Sequence, residues 1–250
     1  MRSEDAVFRA RMLELSDRAA AQSCYQFTDF LNPAERSVVL ECERELAAPV
    51  SFCGGYPQAE RVMARFGSVQ DLGYEADYPI AVLKISPRAE KFSDTFTHRD
   101  FLGALLNLGI DRRCTGDILT DGTRAYVYVT EQMAPFLQDM LIRVKHTAVF
   151  AERVRAVPDM MFREPQTVFP VVPSLRPDAV IAKIYGLSRK EVQTLFAAEK
   201  VFVNHRLQGK ASQSLQEGDL VSVRGYGRFR FVSAVGDTRK GNLRIEAEKY

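Results

Sequence analysis

The sequence predicts an α+β protein in three parts: a mainly helical N-terminal segment, a β-α-β-β-α-β domain, and a small C-terminal α+β module. Three observations carry this. Between residues 76 and 157 the apolar pattern switches repeatedly between strand and helix periods. Four prolines, Pro158, Pro165, Pro170 and Pro173, then interrupt the chain. Beyond them the charge changes sign: residues 171–250 hold 14 Lys and Arg against 8 Asp and Glu, a net +6, whereas residues 1–170 hold 20 against 24, a net −4. The expected parts are residues 1–75, 76–157 and 175–250, with 158–174 as an extended linker, because proline removes amide donors and disfavours helix in the residue before it.

Residues 3–22 are predicted helical, with Val7, Leu13 and Leu15 among the apolar positions and Ala19–Ala21 near the end. A second helix starts at Asn32, where Pro33 fits the first turn and Glu35 stands at capping-box spacing. PVSFCGGY reads as a strand entering a glycine turn, and PQAERVMARFG as a helix stopped by Gly67. YPIAVLKIS is the first strand of the middle domain. Thr97 and Asp100 cap HRDFLGALLNLG, which places Phe101, Leu102, Leu105 and Leu106 on one face before Gly109. GDIL and TRAYVYVT flank Asp121-Gly122, a strong hairpin signal. EQMAPFLQDMLIRV reads as a helix and HTAVFAERV as the closing strand. This order is the split βαβ arrangement of ferredoxin-like and RRM folds.

Hydrophobic residues make up 46% of the 250 positions, ordinary for a folded soluble domain. Cys24, Cys42, Cys53 and Cys114 form no C-x-x-C pair, and the three histidines are scattered. Neither a zinc site nor a disulfide framework is predicted, and reduced thiols in a cytoplasmic protein are the simpler expectation. The charge-interrupted N-terminus reads as neither a signal peptide nor a membrane span.

In the basic module, Ser188 and Glu191 form a capping box ahead of Val192, Leu195 and Phe196, spaced i, i+3, i+4. A preceding helix begins near Pro177, turns Val180, Ile181 and Ile184 inward, and ends at Gly186. Strands are expected around Val201–Val203 and Leu220–Val223, with Gly218-Asp219 as a turn. Arg189 and Lys190 occupy a helix start, where the amides and the dipole already favour an anion. With Arg176, Lys200, Arg206, Arg224 and Arg228 they form a candidate phosphate-binding set, because the arginine fork matches phosphate oxygens. The competing reading makes each a solvated charge, with Arg176 paired to Asp178 or Glu191.

Arg176-Pro177-Asp178, Ser188-Arg189, Val201-Phe202-Val203-Asn204 and Gly218-Asp219 resemble the pattern of the small RNA-binding domain named after ribosomal protein S-four. Pro177, Glu199 and His205 depart from it, the first standing where Leu is usual and the other two where Gly is. The longer stretches FLNPAER, FCGGYPQAER, HRDFLGALLNLGI and VRGYGRF make nearly the whole chain similar to the YlmH family of S-four-domain proteins. That resemblance implies an RNA-binding protein without catalytic activity. It further implies structured RNA (rRNA and tRNA) and the large ribosomal subunit as partners, and a role in rescuing stalled translation products.

Two further surfaces come from the middle domain. Tyr126 and Tyr128 fall on one face of a strand that in RRM folds stacks bases, and Arg112 and Arg113 extend the candidate basic surface. The alternative, that the N-terminal helices cover both tyrosines, is favoured because the RNP1 pattern is missing: Ala125 and Val127 stand where glycine and a small residue are expected. Gly54 and Gly55 admit either a ligand approach or a plain turn. His98, Arg99 and Asp100 admit acid–base chemistry or simple capping. No P-loop is present, and Gly225-x-Gly227 falls short of a dinucleotide fingerprint, so neither a small-molecule cofactor nor a catalytic residue is expected. Two alternatives stay open. One is an RNA-modifying enzyme whose active site is assembled by folding within residues 1–157. The other is a protein scaffold that has lost RNA contact, for which Glu199 is the sole hint.

Overall fold

The structure is a computed structural model that describes residues 3–89, 94–162, 164–209, 213–238 and 241–250. It comprises two compact units, Met1–Phe162 and Arg163–Tyr250.

The first unit opens with helix α1 (Ser3–Gln22), strand β1 (Gln26–Phe27), helix α2 (Pro33–Glu41), strands β2 (Val50–Cys53) and β3 (Met63–Phe66), and a single turn of helix, α3 (Val69–Leu72). The buried stripe of α1 is Met12, Ser16 and Ala19, with Phe8 and Leu15 packed beside it, and Val7 faces out. At α2 the predicted capping box forms: the side-chain Oδ1 of Asn32 accepts from the amides of Ala34 (2.8 Å) and Glu35 (3.1 Å), while the Glu35 carboxylate accepts from the Asn32 backbone amide at 2.7 Å. Residues 57–67, expected as a helix, instead contain β3, the central strand of a β1-β3-β2 antiparallel sheet. Burial overrides helical propensity there. Met63, Ala64 and Phe66 enter the interior, and Arg65 lies between the rings of Tyr25 and Tyr78, 4.9 and 5.0 Å from their centroids. The N-terminal segment is therefore helices packed on a small sheet.

The unit continues with β4 (Ile80–Pro87), α4 (His98–Asn107), β5 (Thr115–Thr120), β6 (Ala125–Thr130), α5 (Ala134–Met140), β7 (Arg143–Val144) and β8 (Thr147–Val154). The sheet order is β5-β6-β4-β8-β7, antiparallel throughout. At the Asp121-Gly122 turn the Asp121 carboxylate accepts from the amides of Thr123 and Arg124, both at 2.8 Å. The helix expected to run to Val144 ends at Met140, because Arg143–Val144 pairs with β8 instead. Strand alternation divides the sheet into two buried faces. Ala81, Leu83, Ile85, Ala125, Val127 and Val129 meet Phe101, Leu105 and Leu137 from α4 and α5. Tyr126 and Tyr128 point the other way, with Ile80 and Val82 beside them.

The second unit begins with β9 (Gln166–Val168) and β10 (Val171–Val172), followed by α6 (Pro177–Tyr185), α7 (Arg189–Ala197), β11 (Val201–Val203), β12 (Arg206–Leu207), β13 (Leu220–Val223), β14 (Gly227–Asp237) and β15 (Leu243–Lys249). Its sheet runs β10-β15-β14-β13-β11-β12, with β9 also paired to β15. Both short strands fall within the expected linker 158–174, of which Arg163 lies outside the described residues. That stretch opens with a 3-10 turn at Asp159–Met161, and its two strands are tied to the terminal strand. Val180, Ile181, Val192, Leu195 and Phe196 pack on Val201, Val221, Val223, Phe229 and Phe231.

Three residues of the second unit explain its local sequence. Asn204 and Asp219 hold each other: Asn204 Nδ2 donates to Asp219 Oδ1 at 2.7 Å, and Asn204 Oδ1 accepts from the Leu220 amide at 3.0 Å. Glu199 adopts φ +55°, in the left-handed region, where an L side chain is strained by roughly 1–2 kcal/mol. Glycine relieves that strain but loses more entropy on folding, so Glu199→Gly should raise stability by up to about 1 kcal/mol, read as a shift in urea midpoint.

Candidate nucleic-acid interface

The predicted basic residues fall into separate places. At the start of α7, Ser188 Oγ accepts from the Glu191 amide (3.3 Å), and the Glu191 carboxylate accepts from the Ser188 amide (2.7 Å). Hydrogen bonding from Ser188 to the Glu191 carboxyl, its side chain contributing most and its amide next, holds that carboxyl below its ordinary range. The protein's own groups thus occupy the Ser188 and Glu191 amides, and the exposed side chains of Arg189 and Lys190 add positive charge at this end. Across a groove of about 780 Å³ stands Arg176, the residue capping α6. Its guanidinium grips Asp178 at two points, Nε–Oδ1 3.1 Å and Nη2–Oδ2 3.0 Å. The alternative pairing with Asp178 thus holds, and Arg176 reaches the groove partly neutralised.

Lys183 lines the same groove together with Arg189 and Gln193. It was not among the predicted site residues, although its spacing of seven from Arg176 puts both on one face of α6. That spacing is the signal by which it could have been found.

Lys200 and Arg224 adjoin one another, because Val201 pairs with Val223 and the Arg224 amide donates to the Lys200 carbonyl at 2.9 Å. The Arg224 guanidinium lies 5.4 Å over the Phe202 ring, and that of Arg228 lies 5.2 Å over Tyr250. Arg189 opens the nine-residue α7, about 13 Å long, and the second group begins beyond its far end. Arg206 lies on β12, three strands from the Arg228 strand in the sheet order. The cations therefore form two clusters and an outlier, not one stripe.

In the first unit the structure buries the candidate tyrosines and ties the candidate arginines into the protein's own bonds. Tyr126 and Tyr128 are 6% and 2% exposed. Phe30, Met63 and Val157 cover them, and Tyr56 stacks on Tyr128 at 5.2 Å between ring centroids. The cover comes from a strand and loops, not from the expected helices, and neither ring is presented to a base. Burial pushes the Tyr128 hydroxyl up to about 12. Gly55 adopts φ +93°, and a Cβ there would sit 2.4 Å from the Tyr128 ring, so this glycine admits the protein's own aromatic side chain.

Arg112 turns inward and donates to the carbonyls of Thr115 (2.6 Å) and Gly116 (3.1 Å), with burial lowering its pKa to about 10. Arg113 pairs with Asp111 at 2.7 Å. The organising residues here are Arg61 and Asp117, which sequence reasoning did not single out as a pair. A bulge between Thr115 and Ile118 aims Asp117 at Tyr56 Oη (2.8 Å) and at the amides of Glu60 (2.7 Å) and Arg61 (3.2 Å). Arg61 in turn donates to the carbonyls of Phe30 (2.9 Å), Arg112 (3.1 Å) and Thr115 (2.8 Å). This network fastens the N-terminal segment over the sheet.

On the helix side of that sheet lies a second groove, about 470 Å³, lined by Arg99, Arg143 and Lys145 beside Met140 and Ile142. Asp100 accepts from the Thr97 amide and hydroxyl, both at 2.7 Å, and its pKa is pushed down to about 2 by these bonds and by Lys145, 3.0 Å away. Arg99 is thus part of a rim and Asp100 a cap. Among the described residues no group of His, Cys, Asp and Glu is placed to hold a metal, and no helix is long and apolar enough to cross a membrane.

Residues 4–68 match the family model "YlmH, N-terminal", and residues 74–157 match "Putative RNA-binding domain in YlmH". Over 257 aligned residues the chain is 29% identical to the "Ribosome-associated protein quality control protein P2" of Bacillus subtilis (strain 168), covering 99% of this chain and 96% of the relative. Among solved structures it is similar to the "Cell division protein ylmH from Streptococcus pneumoniae", with TM-score 0.51 and 21% identity over 62% of this chain and 93% of the other, a likeness of fold. The two family-model matches, the end-to-end relative and the shared fold together establish that the chain belongs to the YlmH family.

Proposed function

We propose that this protein is a noncatalytic RNA-binding protein that associates with the ribosome in translation quality control. Its RNA is rRNA or tRNA on the large subunit. The end-to-end match to a relative whose name carries ribosome association and quality control is the observation that carries this reading. The charge split and the cationic groove of Arg176, Lys183 and Arg189 support it, because neutralising phosphates releases counterions whatever the sequence. In this reading Arg189, Lys190, Lys200, Arg206, Arg224 and Arg228 supply the phosphate contacts of the second unit, with Arg176 sharing its charge with Asp178.

The family-model description attached to residues 74–157 adds a second surface. The tyrosine face is covered, so RNA contact by this domain uses the opposite side, where Arg99, Arg143 and Lys145 rim a groove. The test is co-sedimentation with ribosomes and with isolated large subunits across a salt series. Binding that weakens as salt rises is expected, and failure to pellet with either even at low salt overturns the proposal. Mass spectrometry of the recovered RNA should show it unchanged; a mass shift would favour an RNA-modifying enzyme.

A further inference from the structure

The turn between β13 and β14 carries an exposed aromatic ring inside a cluster of rings and cations. Tyr226 is 44% exposed. Two left-handed glycines bracket it, Gly225 at φ +90° and Gly227 at φ +114°, and its amide donates to the Val223 carbonyl at 3.0 Å. The turn thus sets where the ring emerges. Tyr185 supports it from α6, with centroids 5.7 Å apart, and Tyr185 itself rests on the core residue Phe229 at 6.2 Å. The Lys249 ammonium lies 4.9 Å over the Tyr185 ring. Arg224, directly after β13, and Arg228, on β14, flank the same turn, their guanidinium groups over Phe202 and Tyr250.

We propose that Tyr226 is a stacking platform for one unpaired RNA base, with Arg224 and Arg228 meeting the phosphates on either side of that nucleotide. The inference rests on the RNA-binding reading and narrows its ligand. A rigidly rooted ring with a large open area gains by covering itself with a flat π system, and every base offers one. Bases inside a duplex are already stacked, so the platform selects loops, bulges and ends. Cations beside the ring hold the backbone that brings the base in.

The chain contains no tryptophan, so Tyr226→Trp introduces a single indole reporter into the full-length protein. The probes are an RNA stem-loop with unpaired loop nucleotides and a blunt RNA duplex of the same length. Indole emission should be quenched to saturation by the stem-loop and not by the duplex. Tyr226→Ala should weaken stem-loop binding about tenfold without changing the salt dependence, because no charge is lost, and Tyr226→Phe should bind as the wild type does. Equal quenching by the duplex overturns the inference. So does stem-loop binding that Tyr226→Ala leaves unchanged; RNA binding by the protein would then stand without this platform. If the wild-type chain binds neither RNA, the RNA-binding reading fails and this inference with it.

Discussion

Reversing the charges at the start of α7, with Arg189→Glu and Lys190→Glu together, is expected to lower affinity for structured RNA about 100-fold near ~0.1 M salt. The slope of log affinity against log salt should fall by about two, one for each phosphate contact removed. The fold should survive. Both side chains are exposed, whereas α7 is held by Val192, Leu195 and Phe196. The Ser188–Glu191 box is untouched, and acidic residues in a first helical turn suit the helix dipole. A filter-binding salt series read alongside a thermal melt checks both parts. Unchanged affinity with an unchanged melt would remove this helix start from the contact surface and leave the cluster of Lys200, Arg224 and Arg228 to carry it.

The largest loss of stability is expected from Tyr128→Ala. The ring is almost wholly buried between Tyr56, Phe30 and Met63, and removing a buried aromatic side chain costs about 3–5 kcal/mol. That is a large part of the 5–15 kcal/mol typical of a domain. Gly55 and Gly116 pack directly against this residue, so little relaxation can fill the void. Urea denaturation followed by circular dichroism reads the effect. A loss below about 1 kcal/mol would mean that the aromatic cover is not holding the sheet face. The outcome bears on function as well, because that cover is what withholds Tyr126 and Tyr128 from a base.

Much of the fold was legible because it depends on local chemistry. Asn32 and Glu35, Thr97 and Asp100, and Ser188 and Glu191 announce helix starts through bonds made within one turn. Asp121-Gly122 announces a hairpin in the same way. The segment 57–67 reads as helix because its residues favour helix in isolation, and only pairing with β1 and β2 makes Met63–Phe66 a strand. For the same reason β9 and β10 could not be read from a proline-containing stretch, since their partner β15 lies some 75 residues further along.

At the candidate site the division is similar. Residue type and order alone determined that the C-terminal module is cationic, that Arg189 and Lys190 begin a helix, and that Val180, Ile181, Val192 and Leu195 form its core. Such features follow from a side chain's own charge, or from a period of 3.6 along one helix. Only the tertiary structure decided that the cations divide into clusters and that the sheet's tyrosines are sealed behind Phe30 and Met63. Those outcomes depend on which distant segments meet, and packing across many intervening residues leaves no period in the sequence to read.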